Sequence, residues 1–242
     1  DDYVGKKAGA VTSLDLSHNG EAVISGYTSG IMIVWDTIRG VIQRSVTDAH
    51  PSPITSVRFL TDMKAVTVDA GGLVNKLTFT KNLLWANYSM ETECLLDGTA
   101  GQILALNVLP PYSTVKTSMR PEAYAKALRN LTLIALSSVR SSFAVAVDPK
   151  VNVLHRWARP PAERTDAIGA QSTDTEFLPC LSWGWALASG GGNVVMPVLA
   201  RAWGCCLQLL CASFPTVDDG HVRIGEETIH WPAFGVHQEI DT

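Results

Sequence analysis

Three residues combine a chemically useful type with a telling position. Trp35 and Asp36 end the apolar run Ile31-Met32-Ile33-Val34-Trp35-Asp36, and His50 sits in Asp48-Ala49-His50-Pro51, just ahead of the next run. A histidine among carboxylates is a potential general base, but catalysis also needs a nucleophile and an orienting group within hydrogen-bond reach. The spacings that supply these are absent. The chain has no G-x-S-x-G elbow and no G-x-x-x-x-G-K-[ST] loop. Its six histidines (His18, His50, His155, His221, His230, His237) form no HExxH pair, and its five cysteines form no CxxC pair. Gly190-Gly191-Gly192 precedes a strand-like run, which denies a phosphate the helix N-terminus it would need. Asp218-Asp219 and Glu226-Glu227 lie in an acidic tail, where the ordinary role is solvated loop. The reading is therefore non-enzymatic, with no catalytic, cofactor-binding or metal-ligating residue. Trp35, Asp36 and His50 are assigned structural roles, His50 as a loop hydrogen-bond donor.

Composition narrows the class further. Apolar residues make up 46% of the 242 and charged residues 17%, against roughly 25% charged in an average soluble domain. That is enough apolar material for a sizeable core and excludes wholesale disorder. The low charge implies a surface largely covered by more of the same chain or by partners. A net charge of −4 and a pI near 5.8 argue against nucleic acid as a partner. Residues 115–170 carry nine Lys/Arg against four Asp/Glu, whereas 216–242 carry six acids and only Arg223. The basic stretch reads as a solvated loop, with an anionic membrane surface or acidic partner as the alternative. The cysteines read as small hydrophobes. Asn87-Tyr88-Ser89 and Asn130-Leu131-Thr132 match the glycosylation sequon, but nothing else looks secreted. With Asp1-Asp2-Tyr3 at its start, the chain reads as a piece of something longer.

The elements that must position these residues are short strands. Val11–Leu16 alternates apolar and polar, Asn19-Gly20 turns the chain, and Ala22–Ile24, Ile31–Asp36 and Val41–Val46 follow with glycine-bearing turns between them. Ile54–Leu60, Ala65–Asp69, Leu73–Phe79 and Glu91–Leu96 repeat the cycle. The offset from Val11 to Ile54 is 43 residues, within the roughly 40–45-residue period of WD-type propeller blades. The Gly30-Ile31 and Gly72-Leu73 turns fall at the same phase. Further on, Gln102–Val108, Leu131–Ser137, Phe143–Val147 and Val151–Trp157 read as strands, and Pro121–Leu131 as a helix inserted between them. Pro160–Asp174 reads as a surface loop. Val194–Phe214 is nearly long enough to span a membrane, but Arg201 inside it costs on the order of 2.5–3.5 kcal/mol in a bilayer centre. Split at Gly204, it becomes two strands, Val194–Trp203 and Cys205–Phe214, in a last group that also takes in Leu181–Leu187 and Glu227–Trp231. The expected fold class is all-β: a partial WD40-like β-propeller of about four blades with a short helical insertion. The units fall at about 9–50, 51–97, 98–160 and 177–242, with the insertion at about 112–130.

Trp35-Asp36 is the WD dipeptide. Complete WD repeats join that tryptophan to a Ser/Thr, a turn aspartate and a histidine ahead of the first strand. Here Ser29 stands for the expected turn aspartate and no histidine precedes Val11, while in the second unit His50 is present but Leu77 replaces the tryptophan. The repeat is degenerate.

The stretch from Gly9 to Pro111 carries a more specific signal. Ala10–Leu14, Ser25-Gly26-Tyr27, Gly30–Asp36 and above all Arg44-Ser45-Val46-Thr47-Asp48-Ala49-His50-Pro51 resemble the N-terminal propeller of the vacuolar protein sorting-associated protein 8 family. Those proteins are endosome-specific subunits of the CORVET tethering complex. The resemblance continues through Asp69–Val74, Leu77-Thr78-Phe79, Glu93–Gly98 and Gly101-Gln102-Ile103, with an echo at Leu199–Trp203. The basic stretch 112–175 departs from the family pattern, and the family's α-helical solenoid and zinc-binding RING-type region are absent from this piece. The resemblance implies a cytoplasmic, non-enzymatic tether peripheral to early endosomal membranes. Its implied partners are the class C vacuolar protein sorting core subunits and an activated Rab5-type small GTPase. It implies no individual contact residue. The alternative is a WD scaffold of another trafficking or coat assembly, and a third reading is a propeller hydrolase or lectin-like module.

Overall fold

Alternating side chains and glycine turns build the chain almost entirely from antiparallel strands. The computed structural model describes residues 7–81, 88–111, 131–159, 178–187, 195–203, 206–213, 221–224, 227–230 and 233–241. The helical insertion expected at 112–130 and the polar loop at 160–174 lie outside the described residues. Two compact units are present, Asp1–Ile103 and Leu104–Thr242.

The first unit holds two sheets. One pairs β1 (Val11–Leu16), β2 (Ala22–Tyr27), β3 (Met32–Asp36) and β4 (Val41–Val46) in sequence order; the other does the same with β5 (Ile54–Thr61), β6 (Lys64–Asp69), β7 (Leu73–Lys81) and β8 (Tyr88–Asp97). The period-2 alternation puts Ile24, Met32, Val34 and Val46 on one face of the first sheet. That face packs on Val57, Phe59, Ala65, Leu77 and Phe79 of the second. Each of these side chains larger than alanine, fully buried, contributes about 1.5–3 kcal/mol. Gly26 permits the contact: a Cβ there would lie 2.7 Å from Ile54 Cβ and closer still to its Cγ2.

Between β1 and β5 the bond is made by side chains. Ser13 Oγ accepts from Val57 N–H at 3.0 Å and Asp15 Oδ2 from Phe59 N–H at 2.7 Å. Short polar side chains thus satisfy the outward N–H groups of an edge strand, which would otherwise be open to mispairing. On β1 itself Val11, Leu14 and Leu16 are 52%, 60% and 49% exposed.

The second unit repeats the plan. β9 (Ile103–Val108), β10 (Thr132–Ser138), β11 (Ser141–Asp148) and β12 (Asn152–Ala158) form one sheet, with every residue from Leu133 to Ser138 and from Ser141 to Val147 buried. β13 (Cys180–Leu187), β14 (Val195–Trp203) and β15 (Cys206–Ser213) begin the other. Its closing strand is β18 (Ala233–Asp241), which pairs with β15. Glu227–His230, expected within the last group, forms β17 and pairs with β16 (His221–Ile224) as a separate hairpin. Asn107 Oδ1 accepts from Trp183 N–H at 2.8 Å, so the side-chain bond between first strands recurs here.

The 21-residue-scale apolar run is indeed a hairpin. Trp203 pairs with Cys206 and Val198 with Cys211. Among the described residues no helix is long and apolar enough to cross a membrane.

Candidate functional site

The polar residues of the first unit form two equivalent clusters, one per sheet, related by a constant offset of 42 residues. His50, Thr67, Asp69, Asn75 and Leu77 correspond to Ala8, Ser25, Tyr27, Ile33 and Trp35. The ladder confirms the register, since Thr67 faces Asn75 as Ser25 faces Ile33.

In the second sheet the cluster is closed and polar. His50 Nδ1 lies 3.2 Å from Asp69 Oδ2, and both side chains are wholly buried. A carboxylate only accepts, so it fixes the proton on Nδ1 and leaves Nε2 of the neutral ring to accept from the Thr67 hydroxyl at 2.8 Å. Asp69 Oδ1 accepts from Leu73 N–H at 3.0 Å, which anchors the β6–β7 turn. Asn75 Nδ2 donates to Ala49 O at 2.8 Å and pins the loop just before the histidine. Burial holds the His50 pKa below its ordinary 6.5, against the opposing pull of the Asp69 hydrogen bond and charge. His50 is thus neutral, shielded and fully engaged, an arrangement suited to holding a loop and unsuited to exchanging protons with a substrate.

In the first sheet the same positions are filled differently. Trp35 Nε1–H donates to Ser25 Oγ at 2.8 Å, and the Tyr27 hydroxyl stands 3.3 Å from that oxygen. Ala8, Tyr27 and Ile33 pack together, with half-buried Ile31, Trp35 and Ile42 against them. The network lacking both histidine and aspartate is therefore completed by a phenol. The position equivalent to Asp69 is Tyr27, two residues before Ser29. Ser29 Oγ only accepts from Ile31 N–H within the turn, at 3.4 Å.

The three residues singled out from sequence occupy separate places. Trp35 belongs to the first-sheet cluster and His50 to the second. Asp36 caps the β3–β4 turn: its Oδ1 accepts from Ile38 and Arg39 N–H, both at 2.9 Å, and its Oδ2 from Gln43 Nε2–H at 3.0 Å. The N–H of Arg39, foremost among these, holds the Asp36 carboxyl below its ordinary range. Thr67, Asp69, Tyr27 and Asn75 escaped the sequence reading. The signal that would have found them is the 42-residue offset applied to β2 and β6 instead of to the strand starts.

In the second unit the buried Arg201, Gln208, Ser137 and Ser142 are also held internally. Arg201 donates from Nε to Gln208 Oε1 at 2.6 Å and from a terminal nitrogen to Ala158 O at 3.1 Å, with its guanidinium 5.7 Å from the Trp157 ring centre. These contacts satisfy a charge that would be costly to bury bare. Ser137 and Ser142 share a hydrogen bond of 2.6 Å. Among the described residues no group of His, Cys, Asp or Glu is arranged to hold a metal ion. Cys94 is exposed, but partial burial and the neighbouring Asp97 charge push its thiol up, away from the reactive thiolate.

The sequence comparisons match this architecture. The chain is 26% identical over 210 residues to the human vacuolar protein sorting-associated protein 8 homolog, covering 86% of this chain and 13% of that protein. The Drosophila melanogaster homolog is 27% identical over 204 residues, covering 81% and 14%. The chain therefore spans about an eighth of the length of these curated relatives. Among solved structures it is similar to the beta-propeller domain of Myceliophteria thermophila Cps50 (Swd1), with a TM-score of 0.48, 9% identity, and coverage of 95% of this chain and 58% of that one. The Vps8 beta-propeller family matches residues 1–231, nearly the whole length. That match covers well over half of the chain, and the chain belongs to the Vps8 beta-propeller family.

Proposed function

We propose that this propeller is the protein-interaction platform of a non-enzymatic subunit in an endosomal membrane-tethering complex. In this reading it faces a Rab5-type small GTPase in its GTP-bound form, and the parent protein joins the class C vacuolar protein sorting core at early endosomes. The observation that carries the reading is the family match over residues 1–231. The buried state of the polar chemistry supports it: the side chains of His50 and Asp69, the pair best suited to catalysis by type, are wholly buried. What the fold offers a partner is rigid surface, and function on such folds resides in what is grafted onto them.

The test is affinity purification of the full-length parent protein from cytosol, with GTP-locked or GDP-locked early endosomal Rab added. Recovery of class C subunits, with the Rab retained only in its GTP form, is the expected result. Recovery of a different assembly without nucleotide preference assigns the propeller to another scaffold, and turnover of a small substrate assigns it to an enzyme.

A further inference from the structure

The first sheet has an apolar face and a strand edge whose counterparts one repeat later are both covered. Cross-strand partners share a face. The pairs Val11–Tyr27, Leu14–Ser25 and Leu16–Val23 therefore put Val11, Leu14 and Leu16 on the face of β1–β4 turned away from the second sheet. Val23 pairs with Trp35 in turn, which extends this face to β3. Moving 43 residues along the first strand, and 42 along the others, converts Leu14, Leu16, Val23 and Trp35 into Val57, Phe59, Ala65 and Leu77. The pairing is the same, since Val57 faces Thr67 and Phe59 faces Ala65. Yet Val57 and Phe59 are 0% and 4% exposed beneath the first sheet, whereas Leu14 and Leu16 are 60% and 49% exposed.

The strand edge shows the same contrast. Ser17 N–H, just past β1, donates to Ala22 O at 2.8 Å. By the alternation of an antiparallel ladder, Leu16 and Leu14 then point their N–H groups to the open edge of β1. Neither has an acceptor among the described residues. Their equivalents, Val57 and Phe59 N–H, are taken by Ser13 and Asp15 of the neighbouring sheet. Asn107 does the same for Trp183 N–H in the second unit. A sheet that ends a repeat array carries a polar outer face; this face is apolar.

We infer that this face and edge are covered by a further antiparallel sheet of the parent polypeptide, whose first strand presents two short acceptor side chains, two residues apart, to Leu14 and Leu16 N–H. Ser, Asp and Asn are the acceptor types this chain uses for such bonds. The parent polypeptide is the source because the equivalent seal is made within one chain. The match also takes up only 13% of the human relative, which leaves ample chain to supply a sheet. The inference rests on the internal repeat and is independent of which assembly the protein serves.

The test is amide hydrogen exchange of the full-length parent protein, read residue by residue. Leu14 and Leu16 amides are expected to exchange at least about a hundredfold more slowly than free amides, matching Val57 and Phe59. Photo-leucine, a diazirine analogue close to leucine in size, then identifies the cover. Crosslinks from positions 14 and 16 are expected to a segment of the same polypeptide outside residues 1–242 that carries acceptors two residues apart. Replacing both acceptors by alanine restores fast exchange at Leu14 and Leu16, while slow exchange at Val57 and Phe59 shows the fold intact. Fast exchange at Leu14 and Leu16 in the unaltered parent would overturn the proposal. So would crosslinks to another protein, to an isotopically marked second copy or to residues 1–242, or exchange indifferent to the alanine substitutions.

Discussion

The Tyr27 hydroxyl reaches Ser25 Oγ at 3.3 Å from the position where, 42 residues later, Asp69 reaches His50. The two clusters conserve volume by exchange. A large residue on β2 faces the small Ala8, whereas the small Asp69 on β6 faces the large His50. Each half of either pair makes sense only with its own partner, because close-packed interiors tolerate neither added bulk nor an unmatched charge.

That exchange is directly testable. Ala8→His alone should drive an imidazole into the Tyr27 ring, and Tyr27→Asp alone should bury a carboxylate without its histidine. The double substitution should rebuild the second-sheet arrangement in the first sheet. A double-mutant cycle by chemical denaturation is expected to give a favourable coupling on the order of 1–3 kcal/mol. Additive destabilisation would show that the two positions are not equivalent.

Stability should fall with acid through His50. Its pKa in the folded chain lies below the ordinary 6.5, so the unfolded chain binds the proton first. The neutral-ring contribution is fully present above about pH 7 and is lost as pH falls through 6.5 toward the lower folded value, where the slope ends. Unfolding curves across this range for the natural chain and for His50→Gln should differ by one proton taken up on unfolding. Parallel pH profiles would place the titration elsewhere.

Asp69→Ala should be more damaging than its size suggests. The substitution strips partners from the His50 ring and from Leu73 N–H, each at about 1–3 kcal/mol. Asp69→Asn keeps one acceptor oxygen and turns the other into an N–H₂ donor, so it preserves one of the two bonds and should lose less. Melting temperatures of the two variants, compared at pH 7.5 to keep His50 neutral by its ordinary titration, check that order.

Gly26→Ala tests how closely the first two sheets approach. The added methyl would overlap Ile54, and overpacking of this kind costs about 1–3 kcal/mol. Combining it with Ile54→Ala, which removes the γ carbons nearest the new methyl, should cost less than the sum of the two single losses, measured as a shift in denaturation midpoint at constant slope.

Much of the fold was legible in the chain because strand formation is a local matter. Alternation in Val11–Leu16 and turns at Gly30 and Gly72 mark strands directly, since side chains alternate faces and left-handed φ values of +82° and +88° favour glycine. Arg201 and Gly204 likewise divided the long apolar run correctly into β14 and β15. The last sheet was less legible. Glu227–His230 has strand character, but its partner is β16, and the strand that completes the sheet is Ala233–Asp241. Strand character is encoded in a few neighbouring residues, whereas partner choice depends on which edge is free when the chain returns.

The same division holds at the polar clusters. Residue types alone marked Trp35, Asp36 and His50 as structural candidates and disfavoured catalytic chemistry. Only the packed structure could show that Tyr27, and not Ser29, takes the place equivalent to Asp69, and that Thr67, Asp69 and Asn75 enclose His50. Whether a polar group is satisfied depends on atoms far away in sequence brought within about 3 Å, and no local pattern carries that information.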